Sequence, residues 1–136
     1  MTDMDYLNIL LPQERINAVS SLGLAHVGDC VYELMVRSFL VCSGRQTSAG
    51  LHRETVKYVS APAQAAAAEQ VAELLTEEES AVYRRGRNAH VHSVPKNAEK
   101  SQYHAATGLE ALFGWLYLRG EHGRLNELFA RIMENE

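Results

Sequence analysis

The run Leu24-Ala-His-Val-Gly-Asp29-Cys-Val-Tyr-Glu33-Leu-Met-Val-Arg37-Ser-Phe-Leu-Val-Cys42 reads as a long helix that carries an acid where an acid is costly. Leu24, Val27, Val31, Leu34, Met35 and Phe39 recur at steps of three and four. That period predicts one buried stripe on a helix of about five turns. Asp29 stands between Gly28 and Cys30 in the middle of it. A second run, over residues 99–118, repeats the arrangement: Leu109, Leu112, Phe113, Leu116 and Tyr117 are expected to face inward, and Glu110 sits among small and apolar neighbours. A buried carboxylate costs several kcal/mol unless a cation, a donor or a metal compensates it. Gly28 and Gly114 lie near the two acids, and a mid-helix glycine weakens a helix by about 1 kcal/mol against alanine. Their presence suggests close helix packing. If the two helices pack together, Asp29 and Glu110 share one divalent cation. Hard oxygen ligands suit Mg²⁺, which keeps several waters and needs only one or two carboxylates. Two other readings stay open for Asp29: a salt bridge to Arg37 or Arg85, and an N-cap. For the cap, the capping-box partner would be Tyr32, and Glu33 comes one residue late. Glu33 is expected to pair with Arg37 in solvent.

Outside these runs, β-branched clusters are rare and alanine, leucine and glutamate dominate, which favours helix. A first helix is predicted over residues 12–20, from Pro12, and a loop over residues 43–50. Helix resumes from Ser48 to Val59, with Ser60 capping a restart at Ala61-Pro62. Thr76 followed by Glu79 matches a capping box, opening a helix through Tyr83 and Arg84 that frays over residues 86–88. Residues 86–98 read as a long exposed loop. After Gly120, Leu125, Leu128, Phe129 and Ile132 mark a last amphipathic helix. The expected fold class is all-α, with about six or seven helices in a single domain spanning residues 1–136.

The chain has 136 residues, 46% apolar and 22% charged, as in an ordinary soluble globular domain. Thirteen Lys/Arg against seventeen Asp/Glu give a net charge of -4, which by itself argues against gripping phosphates through bulk charge. The distribution argues otherwise. Arg84, Arg85, Arg87, Lys96 and Lys100 are opposed locally only by Glu99, a net +4, directly after the acidic Glu73 and Glu77 to Glu79. Asn88 and Asn97 add neutral donors of the kind that contact phosphates and sugar hydroxyls. A solvated charge run is the bland alternative. His90 and His92 have no third soft ligand nearby and read as exposed or phosphate-contacting. His26 and His104 read as helix-surface or pocket-lining residues. Cys30 and Cys42 lack CxxC spacing and are expected to be buried free thiols, consistent with a reducing setting. No apolar run reaches the ~18 residues of a membrane span, and the N-terminus lacks the basic start of a signal peptide, so a cytoplasmic protein is expected.

The segment Leu24 to Leu34 resembles the signature helix of ribonuclease III domains, and Gly108-Leu-Glu110-Ala-Leu-Phe-Gly-Trp-Leu-Tyr-Leu118 resembles that family's second catalytic helix. Tyr58-Val-Ser-Ala-Pro-Ala-Gln64, Tyr83-Arg-Arg-Gly-Arg-Asn-Ala89 and Val94-Pro-Lys-Asn-Ala98 narrow the resemblance to the compact Mini-ribonuclease III branch, which consists of the nuclease domain alone. The expected chain accordingly has no double-stranded RNA-binding domain after the second catalytic helix. The resemblance implies a Mg²⁺-dependent endoribonuclease for double-stranded RNA, with Mn²⁺ able to substitute. It also implies a homodimer in which each subunit cuts one strand, leaving 5′-phosphate and 3′-hydroxyl ends. Members of this branch are associated with trimming the ends of 23S ribosomal RNA precursors, and a ribosomal protein is a candidate partner. On this resemblance Asp29 and Glu110 are the catalytic metal ligands. Arg84, Arg85, Arg87, Asn88, Lys96 and Asn97 are the candidates for holding RNA. The chain departs from the wider family at Leu22, Ala25 and Thr107, where acids are usual, a reduced set expected of the compact branch. The competing class is a degenerate domain that binds RNA or a partner without cutting.

Overall fold

Ser20 opens the longest helix by accepting a hydrogen bond from the Gly23 backbone N–H at 3.0 Å. The computed structural model describes residues 4–44, 47–89 and 99–134. Within them lie seven α-helices and one short 3-10 turn, and no strand. They are α1 (Gln13–Asn17), α2 (Ser21–Ser43), α3 (Ser48–Val59), α4 (Ala61–Val71), the 3-10 turn Ala72–Leu74, α5 (Glu77–Arg87), α6 (Lys100–Leu118) and α7 (His122–Glu134). The all-α expectation holds. Ser60 caps α4, with Pro62 in its first turn, and Thr76 and Glu79 form the full capping box of α5. The first helix is shorter than expected, because Ser20 is the cap of α2 and not the end of α1. Helix α5 runs through Gly86 to Arg87 with Asn88 as its C-cap, so the expected loop begins later. The rest of that loop, residues 90–98, lies outside the described residues.

Helix α6 is the centre of the molecule. Leu109, Ala111, Leu112, Phe113 and Leu116 are fully buried, and α2, α4, α5 and α7 pack around it. Tyr32 of α2 meets the Phe113 ring edge-on at 5.1 Å and the Phe129 ring of α7 at 6.0 Å. Such edge-to-face pairs add about 0.5–1.5 kcal/mol each beyond the area they bury. Helix α5 is anchored at its start by a fork-to-fork pair: Arg124 of α7 donates to both carboxylate oxygens of the buried Glu79 at 2.9 Å, and to the Leu74 carbonyl at 2.7 Å. Burial works to raise the Glu79 pKa. Hydrogen bonds from Arg124 and Thr76, with the Arg124 charge, outweigh it and leave the group below its ordinary value.

The buried face of α2 differs from the expected stripe. It comprises Leu24, Ala25, Gly28, Val31, Tyr32, Val36 and Leu40, whereas Leu34 is 60% and Phe39 42% exposed. The small residues Ala25 and Gly28 turn this face towards α6, because only there can a second helix come close. Cys30 and Cys42, expected to be buried, are exposed free thiols for the same reason: each follows a residue of the buried face by two positions, about 200° around the helix.

Gly28 and Gly114 are the contact point of α2 and α6. A Cβ on Gly28 would run into the Glu110 carbonyl oxygen, and a Cβ on Gly114 into the Leu24 carbonyl oxygen. Neither obstacle is a flexible side chain. Gly28→Ala and Gly114→Ala should each destabilise the protein by about 3 kcal/mol or more, the upper end of overpacking costs. Gly123→Ala, with nothing within 4 Å of the added carbon, should be nearly neutral. Urea denaturation of the three variants checks the order, and equal midpoints would refute the backbone contact.

Candidate active site

The helix crossing that needs Gly28 also decides where the next side chain goes. Asp29 follows Gly28, and Glu110 supplies the carbonyl lying against Gly28, so the two acids meet where α2 and α6 cross. Their carboxyl groups share a hydrogen bond. Asp29 is exposed on its outer side, against the expectation that both acids are buried, while Glu110 is partly buried. Burial first, and then the Asp29 charge, push the Glu110 carboxyl up to about 8 from 4.5, although a hydrogen bond from Gln64 pulls the other way. The alternative readings of Asp29 fall away. It lies mid-helix and caps nothing, and it forms no ion pair among the described residues. Arg37 pairs with Glu33, as expected, through a 2.7 Å hydrogen bond from its Nε.

The acids border a cavity of about 220 Å³ between α2, α4 and α6, also lined by Val59, Gln64, Tyr103 and Thr107. Thr107 has its hydroxyl committed to the Tyr103 carbonyl at 3.1 Å. Gln64 ends one of the stretches that carry the resemblance, but nothing in the sequence assigns it a role in the site. The signal was present, in a lone amide within Ala61-Pro-Ala-Gln-Ala-Ala-Ala-Ala68, but only the α4–α6 contact shows that it faces Glu110. Among the described residues no three His, Cys, Asp or Glu side chains cluster. A cation here would therefore be held by two carboxylates and otherwise by water or substrate oxygen, a donor set that fits Mg²⁺. An acid held back from ionising, first by burial and then by its acidic neighbour, is what such a cation would relieve.

Arg84, Arg85, Arg87 and Asn88 are exposed on the last turn and cap of α5. The three arginines form no ion pair among the described residues, and Arg87 lies over the Tyr83 ring at 5.7 Å. Arg87 and Tyr83 line a groove whose other walls, at Pro62 and Ala65 of α4 and Gln102 and Ala105 of α6, belong to the helices that wall the acidic cavity. Lys96, Asn97, His90 and His92 lie outside the described residues. His26 is exposed and His104 partly buried. No described helix is long and apolar enough to cross a membrane.

Comparison with known proteins places this geometry. The ribonuclease III domain matches residues 22–121. A protein named Mini-ribonuclease 3 from Thermoanaerobacter sp. (strain X514) is 45% identical over 128 residues, covering 92% of this chain and 90% of the relative. Its namesake from Enterococcus faecalis is 46% identical over 112 residues, covering 81% and 85%. A crystal structure of a Fusobacterium nucleatum protein, 24% identical, shares the fold with a TM-score of 0.80 over 88% of this chain and 97% of that one.

The raised Glu110 pKa has a testable consequence. A carboxyl whose folded pKa lies above its unfolded value stabilises the fold relative to high pH below about 4.5, and loses that contribution as pH climbs towards about 8. The metal-free protein should therefore lose thermal stability across this window through Glu110. Glu110→Gln should flatten the slope, and Mg²⁺ should flatten it in the unsubstituted protein. Melting curves in EDTA and in Mg²⁺ from pH 5 to pH 8.5 read this directly, and an unchanged slope in Glu110→Gln would assign the effect elsewhere.

Proposed function

The chain belongs to the ribonuclease III family and is an endoribonuclease, and from that premise we propose that it cleaves double-stranded RNA with Mg²⁺, or Mn²⁺ in its place, in maturing the ends of 23S ribosomal RNA precursors. The observation that carries the reading is the pairing of Asp29 with Glu110 at the α2–α6 crossing, one groove away from Arg87, which forms no ion pair among the described residues. Asp29 and Glu110 are assigned as catalytic ligands of the cation. When bound there, it supplies positive charge to the scissile phosphate and lowers the pKa of the attacking water. The protein's own part is positioning: the glycine crossing brings both carboxylates to one point at the edge of the cavity. Arg84, Arg85, Arg87 and Asn88, with Lys96 and Asn97 from the adjoining segment, are assigned to the RNA backbone. A-form RNA hides its major-groove edges, so recognition rests on backbone shape and 2′-hydroxyls. Cleavage would leave 5′-phosphate and 3′-hydroxyl ends.

A homodimer in the cytoplasm completes the proposal, with a ribosomal protein as candidate partner. Leu34 and Val41, 60% and 62% exposed and seven residues apart on one face of α2, are the apolar surface that supports pairing of two copies.

The deciding assay incubates the protein with long duplex RNA in Mg²⁺ and in EDTA. Cutting that needs the metal supports the reading, and binding without cutting would indicate a degenerate domain. Asp29→Asn should lower cleavage by about 10²–10³-fold, the scale of losing a group that serves developing charge, without unfolding the protein. Normal turnover in that variant would sink the ligand assignment. Replacing Arg85, Arg87 and Lys96 together with alanine should weaken RNA binding and reduce the slope of log affinity against log salt by roughly 3, one for each lost phosphate contact. An unchanged slope would show that these residues do not touch phosphate.

A further inference from the structure

Gln64 is 1% exposed, on a helix face otherwise built from alanine and valine. Its Nε2 donates to the Val59 carbonyl at 3.1 Å, and the side chain lies beside the Glu110 carboxyl, which it helps to ionise. The Val59 carbonyl can only accept, so it takes an amide N–H and fixes which way the amide faces. Turning it over would set oxygen against oxygen at Val59. Its Oε1 is then left buried with no hydrogen-bond partner among the described residues. A buried amide oxygen without a partner costs about 1–3 kcal/mol. A purely structural tie between the α3–α4 turn and α6 would explain the nitrogen and not the oxygen. Thr107 and Tyr103 also line the cavity, but the Thr107 hydroxyl is given to the Tyr103 carbonyl and neither hydroxyl hydrogen-bonds the Gln64 oxygen. Gln64 lines the same 220 Å³ cavity as Asp29 and Glu110, and that space admits several waters.

We propose that Gln64 is a positioning residue of the metal site: its Oε1 accepts a hydrogen bond from a water bound to the cation held by Asp29 and Glu110, while its N–H holds the Glu110 carboxylate in place. The proposal rests on the metal reading above. An amide suits the place because it offers an oxygen without adding a third negative charge beside two carboxylates already in contact. Groups that orient metal ligands or bound water in this way typically affect affinity 10–100-fold.

The test measures Mg²⁺ affinity of the full chain without RNA, by calorimetry and by the Mg²⁺-dependent rise in melting temperature. Gln64→Met keeps the length and volume and removes both hydrogen-bonding functions. It should weaken Mg²⁺ binding about 10-fold or more and raise the Mg²⁺ concentration needed for half-maximal cleavage. Gln64→Glu returns oxygen acceptors and adds charge, so it should lower metal-free stability and show a larger Mg²⁺-induced rise in melting temperature than the unsubstituted protein. Two folded variants with unchanged Mg²⁺ affinity would overturn the proposal and leave Gln64 a structural tie. If Gln64→Met does not fold, weaker Mg²⁺ binding by Gln64→Glu overturns it. The underlying reading fails separately, and takes this one with it, if the unsubstituted protein neither binds Mg²⁺ nor cuts duplex RNA.

Discussion

The contact between the backbones of α2 and α6 at Gly28 and Gly114 is the constraint on which the rest of the structure depends. Side chains normally hold helix axes 8–10 Å apart, and here each helix offers a carbonyl oxygen to a glycine of the other. Two mid-helix glycines cost about 2 kcal/mol of helix propensity. The close approach offsets this by sealing the Tyr32, Phe113 and Phe129 cluster and by letting α6 serve as a core helix contacted from several sides. It also sets the chemistry. Asp29 and Glu110 meet because they are attached to the backbone atoms that touch, so the contact that completes the core forces two negative groups together.

The net acidity of the chain hides how its charges are spent. Glu79 is held by Arg124, Glu73 by Arg131 and Glu78 lies 3.9 Å from Arg119, so much of the acidic stretch leading into the first turn of α5 is answered inside the fold. The arginines at the other end of the same helix have no such partners among the described residues. Helix α5 is thus neutralised at its start and cationic at its end. Its own dipole favours that polarity, since cations near a helix C-terminus are stabilised by about 0.3–1 kcal/mol. The net charge of -4 averages over this separation and hides it.

What was legible in the sequence follows the reach of each interaction. Caps act within four residues, and Ser20 aside they were read correctly at Ser60 and at Thr76 with Glu79. Asp29 and Glu110 were legible because a carboxylate among apolar neighbours is anomalous wherever the chain goes. The phase of the buried face on α2 was not. Hydrophobicity weighs Leu34 and Phe39 above Ala25 and Gly28, while packing against a second backbone reverses that order. The Glu79–Arg124 pair joins residues 45 apart in the chain, and no local pattern announces it.

Gln64 shows where the two kinds of information meet. Its polarity within an alanine run is visible in the sequence, but there it has no more meaning than a surface glutamine on a weakly amphipathic helix. Only burial makes the amide costly, and only the committed nitrogen makes the oxygen the group in question. The same reasoning separates Gln64 from Thr107, which is equally polar and lines the same cavity but satisfies itself on its own helix. Buried polar groups that close their hydrogen bonds locally report on folding. The Gln64 oxygen, buried without a partner among the described residues, is the group we assign to a water on the cation.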